Sequence, residues 1–216
     1  MTVPVPVSEG GVKKPAFVRE LLGRSDYRII GEIVEPKSRV LDLGCGDGEL
    51  LQWLAENKGV DARGVEIATA KVQKAIARGV SVYQGDIDEG LADYPAAAFD
   101  YVILSQTLQE THRPRKVLRE MLRVGRRVIV AFPNYGNWRV RLSLLLSGRA
   151  PKTELFPHDW YESPNIHFLT IHDFEDLAAL EKLGVERRYF LSGGRRITLL
   201  PNLMAEVAVY LVSGAR

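Results

Sequence analysis

Three carboxylates fall at intervals that place them along one edge of a β-sheet. Asp42 closes the apolar run RVLD, Glu66 closes ARGVE, and Asp86 follows VSVYQG. Glu66 lies 20 residues beyond Gly46, and Asp86 lies 20 residues beyond Glu66. A carboxylate about 20 residues past a glycine-rich turn is the separation expected of a group that accepts from ribose hydroxyls. Its two acceptor oxygens match two vicinal donors. Asp86 at the third strand end can accept from an adenine amino group.

The turn itself reads VLDLGCGDGEL, an apolar strand passing through Gly44, Gly46 and Gly48 into a helix. Glycines remove Cβ atoms, so the chain turns sharply and a ligand approaches the backbone. The spacing is G-x-G-x-G, with Glu49 following Gly48. The phosphate-cradling fingerprint is G-x-G-x-x-G. An acid directly before the turn repels a pyrophosphate. Asp42 instead suits a ligand with cationic groups, such as the ammonium and sulfonium of S-adenosylmethionine.

Other reactive side chains are weaker signals. His167, in NIHFLT, falls in a segment expected to cover the pocket and is the one candidate for a general base or acceptor contact; the alternative is a hydrogen bond at a helix start. His112, His158 and His172 read as surface or capping residues, and the four histidines and single cysteine offer no metal-ligand spacing. Cys45 lies inside the glycine turn, where small-residue packing explains it better than a thiol nucleophile.

The elements that must position these groups alternate. After Pro36, strand-like runs (RVLDLG, ARGVEI, VSVYQGD, FDYVILS, RRVIVAF) exchange with helical runs near Glu49 to Asn57, Ala68 to Arg78 and Pro114 to Val124. Repeated β-α-β units imply a parallel sheet covered on both faces. Val117, Leu118, Met121 and Leu122 form one helical stripe for packing on that sheet. Ahead of these lie one or two helices between Ala16 and Val34, carrying Phe17, Leu21, Leu22, Ile29, Ile30 and Ile33. Thr170 and Asp173 predict a capping box for a helix with Phe174, Leu177, Leu180 and Leu183, stopped by Gly184. Two last strands are expected near Val185 to Leu191 and Ala205 to Val212.

Residues 134–169 interrupt the rhythm. The stretch is longer than a simple connection needs, which marks a functional or flexible segment. It contains NWRVRLSLLLSGR, basic on one side and leucine-rich on another. Such a helix reads as a lid over the core or a partner-docking face rather than a membrane-surface helix, since its apolar face is short. An acceptor would enter between the Ser105 to Glu110 loop and this insertion.

The motif set D-L-G-C-G-D-G, the strand-end Glu66 and the GD before Ile87 resemble the class I S-adenosylmethionine-dependent methyltransferases. Within them, RVLDLGCGDG, YQGDIDEGL, FDYVILSQTLQ, VLREMLRVGRRVIVAFPNYGNWRVRL and SPNIHFLTIHDFEDL resemble the methionine biosynthesis protein MetW family, over roughly Ile33 to Leu191. The Pro-Val leader and the GGRRITLLPN stretch depart from the family pattern. The resemblance implies a Rossmann-like doubly wound α/β fold with a mostly parallel seven-stranded sheet and an inserted lid after strand 5. It implies S-adenosylmethionine as cofactor, with S-adenosylhomocysteine as product. It implies a role in methionine biosynthesis beside homoserine O-acyltransferase (MetX). Asp42, Gly44 and Gly46 would line the methionine end, Glu66 the ribose, Asp86 and Ile87 the adenine, and Ser105 the end of the fourth strand, with Cys45 and Ile67 also among the cofactor-binding residues.

Composition bounds the rest. With 216 residues, 46% of them hydrophobic, the chain can bury one full core. The expectation is a leader at residues 1–15 and one domain over 16–216. Twenty-nine basic against 27 acidic residues leave a net charge of +2, without the strongly basic footprint of a nucleic-acid binder. No run of about 18 apolar residues suggests a membrane span, and one cysteine excludes an internal disulfide, as in a reducing cytoplasm. Two functions fit: a small-molecule methyltransferase acting with the acyltransferase, or a non-catalytic, S-adenosylmethionine-sensing accessory subunit of it. A dehydrogenase is disfavoured by the glycine spacing.

Overall fold

The computed structural model describes residues 24–153 and 156–214. The central strands are buried on both faces and read as near-continuous apolar runs, which is what a sheet sandwiched by helices demands. In chain order the elements are α1 (Ser25–Ile33), β1 (Arg39–Leu43), α2 (Glu49–Lys58), β2 (Asp61–Glu66), α3 (Thr69–Ala77), β3 (Ser81–Gln84) and β4 (Phe99–Ser105). A short 3₁₀ turn (Leu108–Glu110) leads to α4 (Pro114–Val124) and β5 (Gly125–Pro133). Then come α5 (Trp138–Ser147), α6 (Ile171–Leu180), β6 (Gly184–Ser192), β7 (Arg195–Arg196), α7 (Pro201–Met204) and β8 (Val207–Ser213).

The sheet runs β3-β2-β1-β4-β5-β8-β6-β7. The first five in that order are parallel; β8 pairs antiparallel with β5, β6 with β8, and β7 with β6. Seven strands are expected from the sequence; the eighth is the two-residue β7, a flap on the β6 edge. Alternate residues of each central strand face opposite layers. Leu41, Val102 and Val130 pack with Met121 of α4 and Phe174 of α6, whereas Val40, Ile103 and Ile129 pack with Ile30 of α1 and Leu54 of α2. The order reverses between β1 and β4, so a crevice opens beyond their carboxyl ends.

Several expectations shift. Of the helical stretch before β1, only α1 is described; Phe17, Leu21, Leu22 and the leader lie outside the described residues. The α6 helix ends at Leu180, which is exposed, and Gly184 opens β6 instead of stopping the helix. The four-residue α7 in the GGRRITLLPN region is new. It matters because the fully buried Asn134 donates from Nδ2 to the carbonyls of Asn202 (3.0 Å) and Ala205 (2.9 Å) and accepts from Gly136 N–H (3.0 Å). Asn137 Nδ2 adds a bond to Ala205 O at 3.1 Å. The start of the 134–169 segment is thereby tied to the start of β8.

The capping box forms as read: Thr170 Oγ1 accepts from Asp173 N–H, and Asp173 Oδ2 accepts from Thr170 N–H at 2.8 Å. Thr170→Ala is expected to lower stability by about 1 kcal/mol. Urea unfolding of the two proteins checks it, and an unchanged midpoint would remove the cap from the account of α6.

Candidate functional site

The glycine turn after β1 is fastened to β2. Gly44 N–H and Cys45 N–H both donate to Val65 O, at 2.8 and 3.1 Å. Glu66 then grips the turn from the side: Oε2 accepts from Gly46 N–H and Oε1 from Ala68 N–H, each at 2.9 Å. Each oxygen keeps lone-pair capacity for a further donor. The three glycines all have positive φ, yet for different reasons. A Cβ at Gly44 would strike Thr107 Oγ1 at 2.7 Å, and one at Gly48 would strike Ala75 of α3 at 2.9 Å. One at Gly46 would meet nothing within 4 Å, so the backbone there borders open space.

That space is a cleft of about 400 Å³ at the reversal of strand order. Of the residues predicted from sequence, Gly44, Gly46, Glu66, Ile67, Asp86, Ile87 and Ser105 line it, whereas Asp42 and Cys45 are buried and do not. Ile67 is exposed and Ile87 partly buried. Asp86 Oδ1 accepts from Asp88 N–H at 2.8 Å, which fixes its loop. Asp88 in turn accepts from His112 and Arg113 N–H, both at 2.8 Å, and holds the start of α4 against the same loop.

Asp42 sits two residues before Gly44, 3% exposed, and its Oδ1 has no hydrogen-bond partner among the described residues. Burial pushes its carboxyl up to about 8; the nearby Arg24 opposes that, while Asp26 and Glu66 add to it. Cys45 faces away from the cleft into the core, where a Cβ on Gly64 would overlap its sulfur. Burial pushes its thiol well up, which disfavours the nucleophilic thiolate. It is therefore not among the residues lining the cleft, against the sequence expectation. His167 is exposed, and its N–H donates to Gln109 O at 2.9 Å. It is not among the residues lining the cleft, whereas His112 is.

Sequence reasoning missed the α1 contribution. Arg24 Nη2 donates to Asp26 Oδ2 at 2.7 Å and Arg24 Nη1 to Tyr27 Oη at 2.7 Å, while Ser105 Oγ donates to Asp26 Oδ2 at 2.6 Å. Arg24 and Tyr27 both line the cleft. No spacing rule links a residue before β1 to one ending β4. Gln106, also on the wall, holds φ +56, a left-handed turn at a non-glycine position, which marks strain where the chain leaves β4. Glu110, on the 3₁₀ turn, and Lys71, on α3, complete the charged rim. Partial burial raises the Glu110 pKa, the charge of Glu66 adds to this, and Lys71 and His158 oppose it.

The family model of the methionine biosynthesis protein MetW matches residues 24–212. The chain belongs to the MetW family. The bifunctional methionine biosynthesis protein MetXA/MetW of Rhodopirellula baltica is 36% identical over 208 residues, covering 90% of this chain and 33% of that protein. The MetW chain thus spans from about a third to just over two-fifths of the curated relatives it matches. An S-adenosylmethionine-dependent methyltransferase from Mesorhizobium loti superposes with a TM-score of 0.67 at 15% identity, over 89% of this chain and 99% of that one. A possible histamine N-methyltransferase from Thermotoga maritima gives 0.64 at 18%, over 92% and 91%. These likenesses establish the α/β methyltransferase fold. Among the described residues no helix is long and apolar enough to cross a membrane.

The raised Asp42 pKa carries a sign. A carboxyl that is protonated in the folded chain and ionised in the unfolded one contributes stability below the ordinary carboxylate range, and that contribution is lost as pH rises towards about 8. Asp42→Asn cannot ionise. Its stability relative to the parent is expected to grow steadily from pH 5 to pH 8 and then level off. Parallel urea-derived stability curves for the two proteins would show that Asp42 is ionised in the folded state.

Proposed function

We propose that the cleft binds S-adenosylmethionine, and S-adenosylhomocysteine as product, in a methyltransferase-type protein of methionine biosynthesis. The buried, unpaired oxygen of Asp42 carries this reading. An unsatisfied buried acceptor costs about 1–3 kcal/mol, and a cationic ligand group at the neighbouring open face of Gly46 would satisfy it. When bound, the cofactor supplies a methyl group activated on a sulfonium. Asp42, with the Gly44 to Gly46 backbone, holds the cationic methionine end. Glu66 accepts from the ribose hydroxyls while keeping its grip on Gly46 and Ala68. Asp86 takes the adenine amino group, and Ile67 and Ile87 offer apolar surface to the ring. Ser105, fixed by Asp26, closes the far wall.

An acceptor entering between the Ser105 to Glu110 loop and the 134–169 segment meets Glu110. With its raised proton affinity, Glu110 is the cleft carboxylate suited to receive an acceptor proton. His167 takes no step in this reading, since its side chain stands outside the cleft wall.

The partner in this reading is homoserine O-acyltransferase (MetX), and the setting is the cytoplasm. Support for the partner comes from the Rhodopirellula baltica relative, which is named for MetXA and MetW together. Further support comes from α5, where Leu142, Leu144, Leu145 and Leu146 are exposed and only Val140 is buried. The helix therefore does not use its leucines to seal its own core, and an apolar row in water suits a partner surface. This row also favours a second reading, in which the chain serves the acyltransferase as a non-catalytic or S-adenosylmethionine-sensing subunit. Labelled cofactor and extract, incubated with and without the acyltransferase, separates the two by the presence or absence of a methylated product.

Calorimetry is expected to give one-to-one binding of S-adenosylmethionine, and Glu66→Gln is expected to weaken it by about 1–3 kcal/mol. Binding of NAD with none of S-adenosylmethionine would refute the assignment. For the partner surface, charge reversal at Arg139 or Arg141 is a poor probe, because Arg139 pairs with Glu206 at 3.1 Å and Arg141 Nε donates to Gly136 O at 2.6 Å. The double variant Leu145→Ser, Leu146→Ser touches the exposed row alone. It is expected to abolish co-purification with the acyltransferase and leave cofactor affinity within about twofold; retained association removes α5 from the interface.

A further inference from the structure

The described residues form a second hollow, of about 370 Å³, within the segment that follows β5. Tyr135, Phe156 and Phe168 make an aromatic floor. The Tyr135 ring meets Phe156 edge-on with centroids 5.0 Å apart and lies 4.7 Å from Phe168 in a tilted contact. Trp160 stands on the wall with 76% of its surface exposed. A large aromatic left in water beside a concave aromatic surface is unfavourable unless something covers it.

Polar groups converge on the same space. Arg149, Lys152 and His158 line it together with Asp159. Lys152 Nζ and Asp159 Oδ2 pair at 2.8 Å and neutralise each other. Arg149 forms no ion pair among the described residues, so the described lining residues carry one surplus positive charge on a planar, forked donor. That geometry matches a carboxylate and repels an amine.

The hollow is distinct from the cleft but close to it. Ile166 and His167 N–H both donate to Gln109 O, at 2.8 and 2.9 Å. Phe168, the next residue, lines the hollow, and Glu110, the neighbour of Gln109, lines the cleft. One layer of chain separates them.

We propose that this hollow is a second ligand site, for a small carboxylate carrying a flat apolar body. The aromatic floor and Trp160 sandwich the body, and Arg149 receives the carboxylate. A volume of this size lies within the range of small-molecule pockets. The site stands apart from the cofactor reading, and its test needs no cofactor.

The test uses the full chain with indole-3-acetate as probe, followed through the Trp160 indole N–H resonance, which Trp160→Phe identifies. Indole-3-acetate is expected to move that resonance saturably. Indole-3-acetamide, with the same body and no charge, is expected to bind about tenfold more weakly or worse, the factor set by a charge-assisted hydrogen bond. Arg149→Gln is expected to erase the preference for the acid, and Arg149→Lys to keep part of it; both positions are exposed, and unfolding midpoints confirm that the variants fold. A Trp160 resonance that does not move, equal affinity for acid and amide, or an unchanged preference in Arg149→Gln would overturn the proposal, whatever the cleft binds.

Discussion

A carboxyl buried at the end of the first strand, with one oxygen unpaired and its proton affinity raised by burial, is the feature around which the cleft is arranged. Asp42 lies where the strand order reverses and where the backbone must turn into α2. A hydrophobic residue there would remove the cost of burial, so the fold tolerates an unfavourable group at its ligand edge. Around it the structure builds support instead of relief. Arg24 lies near enough to favour the charged form but is committed to Asp26, and Asp26 is committed to Ser105. The compensating charge is thus left to whatever enters beside Gly46. A cation at that point draws the ionised form of Asp42, and the proton leaves as the ligand arrives.

Glu66 solves a different problem. The turn places Gly46 in a left-handed conformation with its N–H pointing sideways, and a backbone donor there must be satisfied. Both carboxylate oxygens are already used by amides, one on each side of the cleft mouth. The side chain therefore keeps its shape before a ligand comes, which lowers the ordering cost of binding. Glu66 therefore holds the turn and faces the cleft at once.

The sheet, its parallel core and the meeting of Glu66 and Asp86 at one cleft were legible because each follows a local rule. Period-2 burial, glycine turns and strand-end placement are all written within a few residues of the group concerned. The Arg24, Asp26 and Ser105 triad was not, since it joins positions 79 and 81 residues apart through packing of α1 that no local pattern encodes. Gln106 escaped for the opposite reason: a left-handed non-glycine residue leaves no compositional mark. Cys45 looked like a wall residue because it sits among the glycines, yet alternation along the turn points its sulfur at Gly64 and the core. Leu180 joined a helical stripe by spacing, but it ends α6 exposed to solvent, while Leu177 and Leu183 on either side of it pack against the core.

The 134–169 segment breaks these local rules most openly, and its physics differs from that of the sheet. Its beginning is held by two buried asparagines, whose side chains bond backbone groups near β8, and its end by the capping box at Thr170. Between these anchors the helix α5 shows leucines to solvent, and the chain beyond it shows Trp160, Tyr161 and Phe168. A segment fixed at both ends cannot turn those side chains inward by rigid rotation without breaking the asparagine bonds, each of which would leave a buried polar group unpaired. Backbone bonds from Ile166 and His167 keep the segment beside Gln109, next to the cleft residue Glu110. Contacts made on the outer, apolar side can bear on the loop that carries Glu110 through the Ile166 and His167 bonds to Gln109, without any change in the sheet.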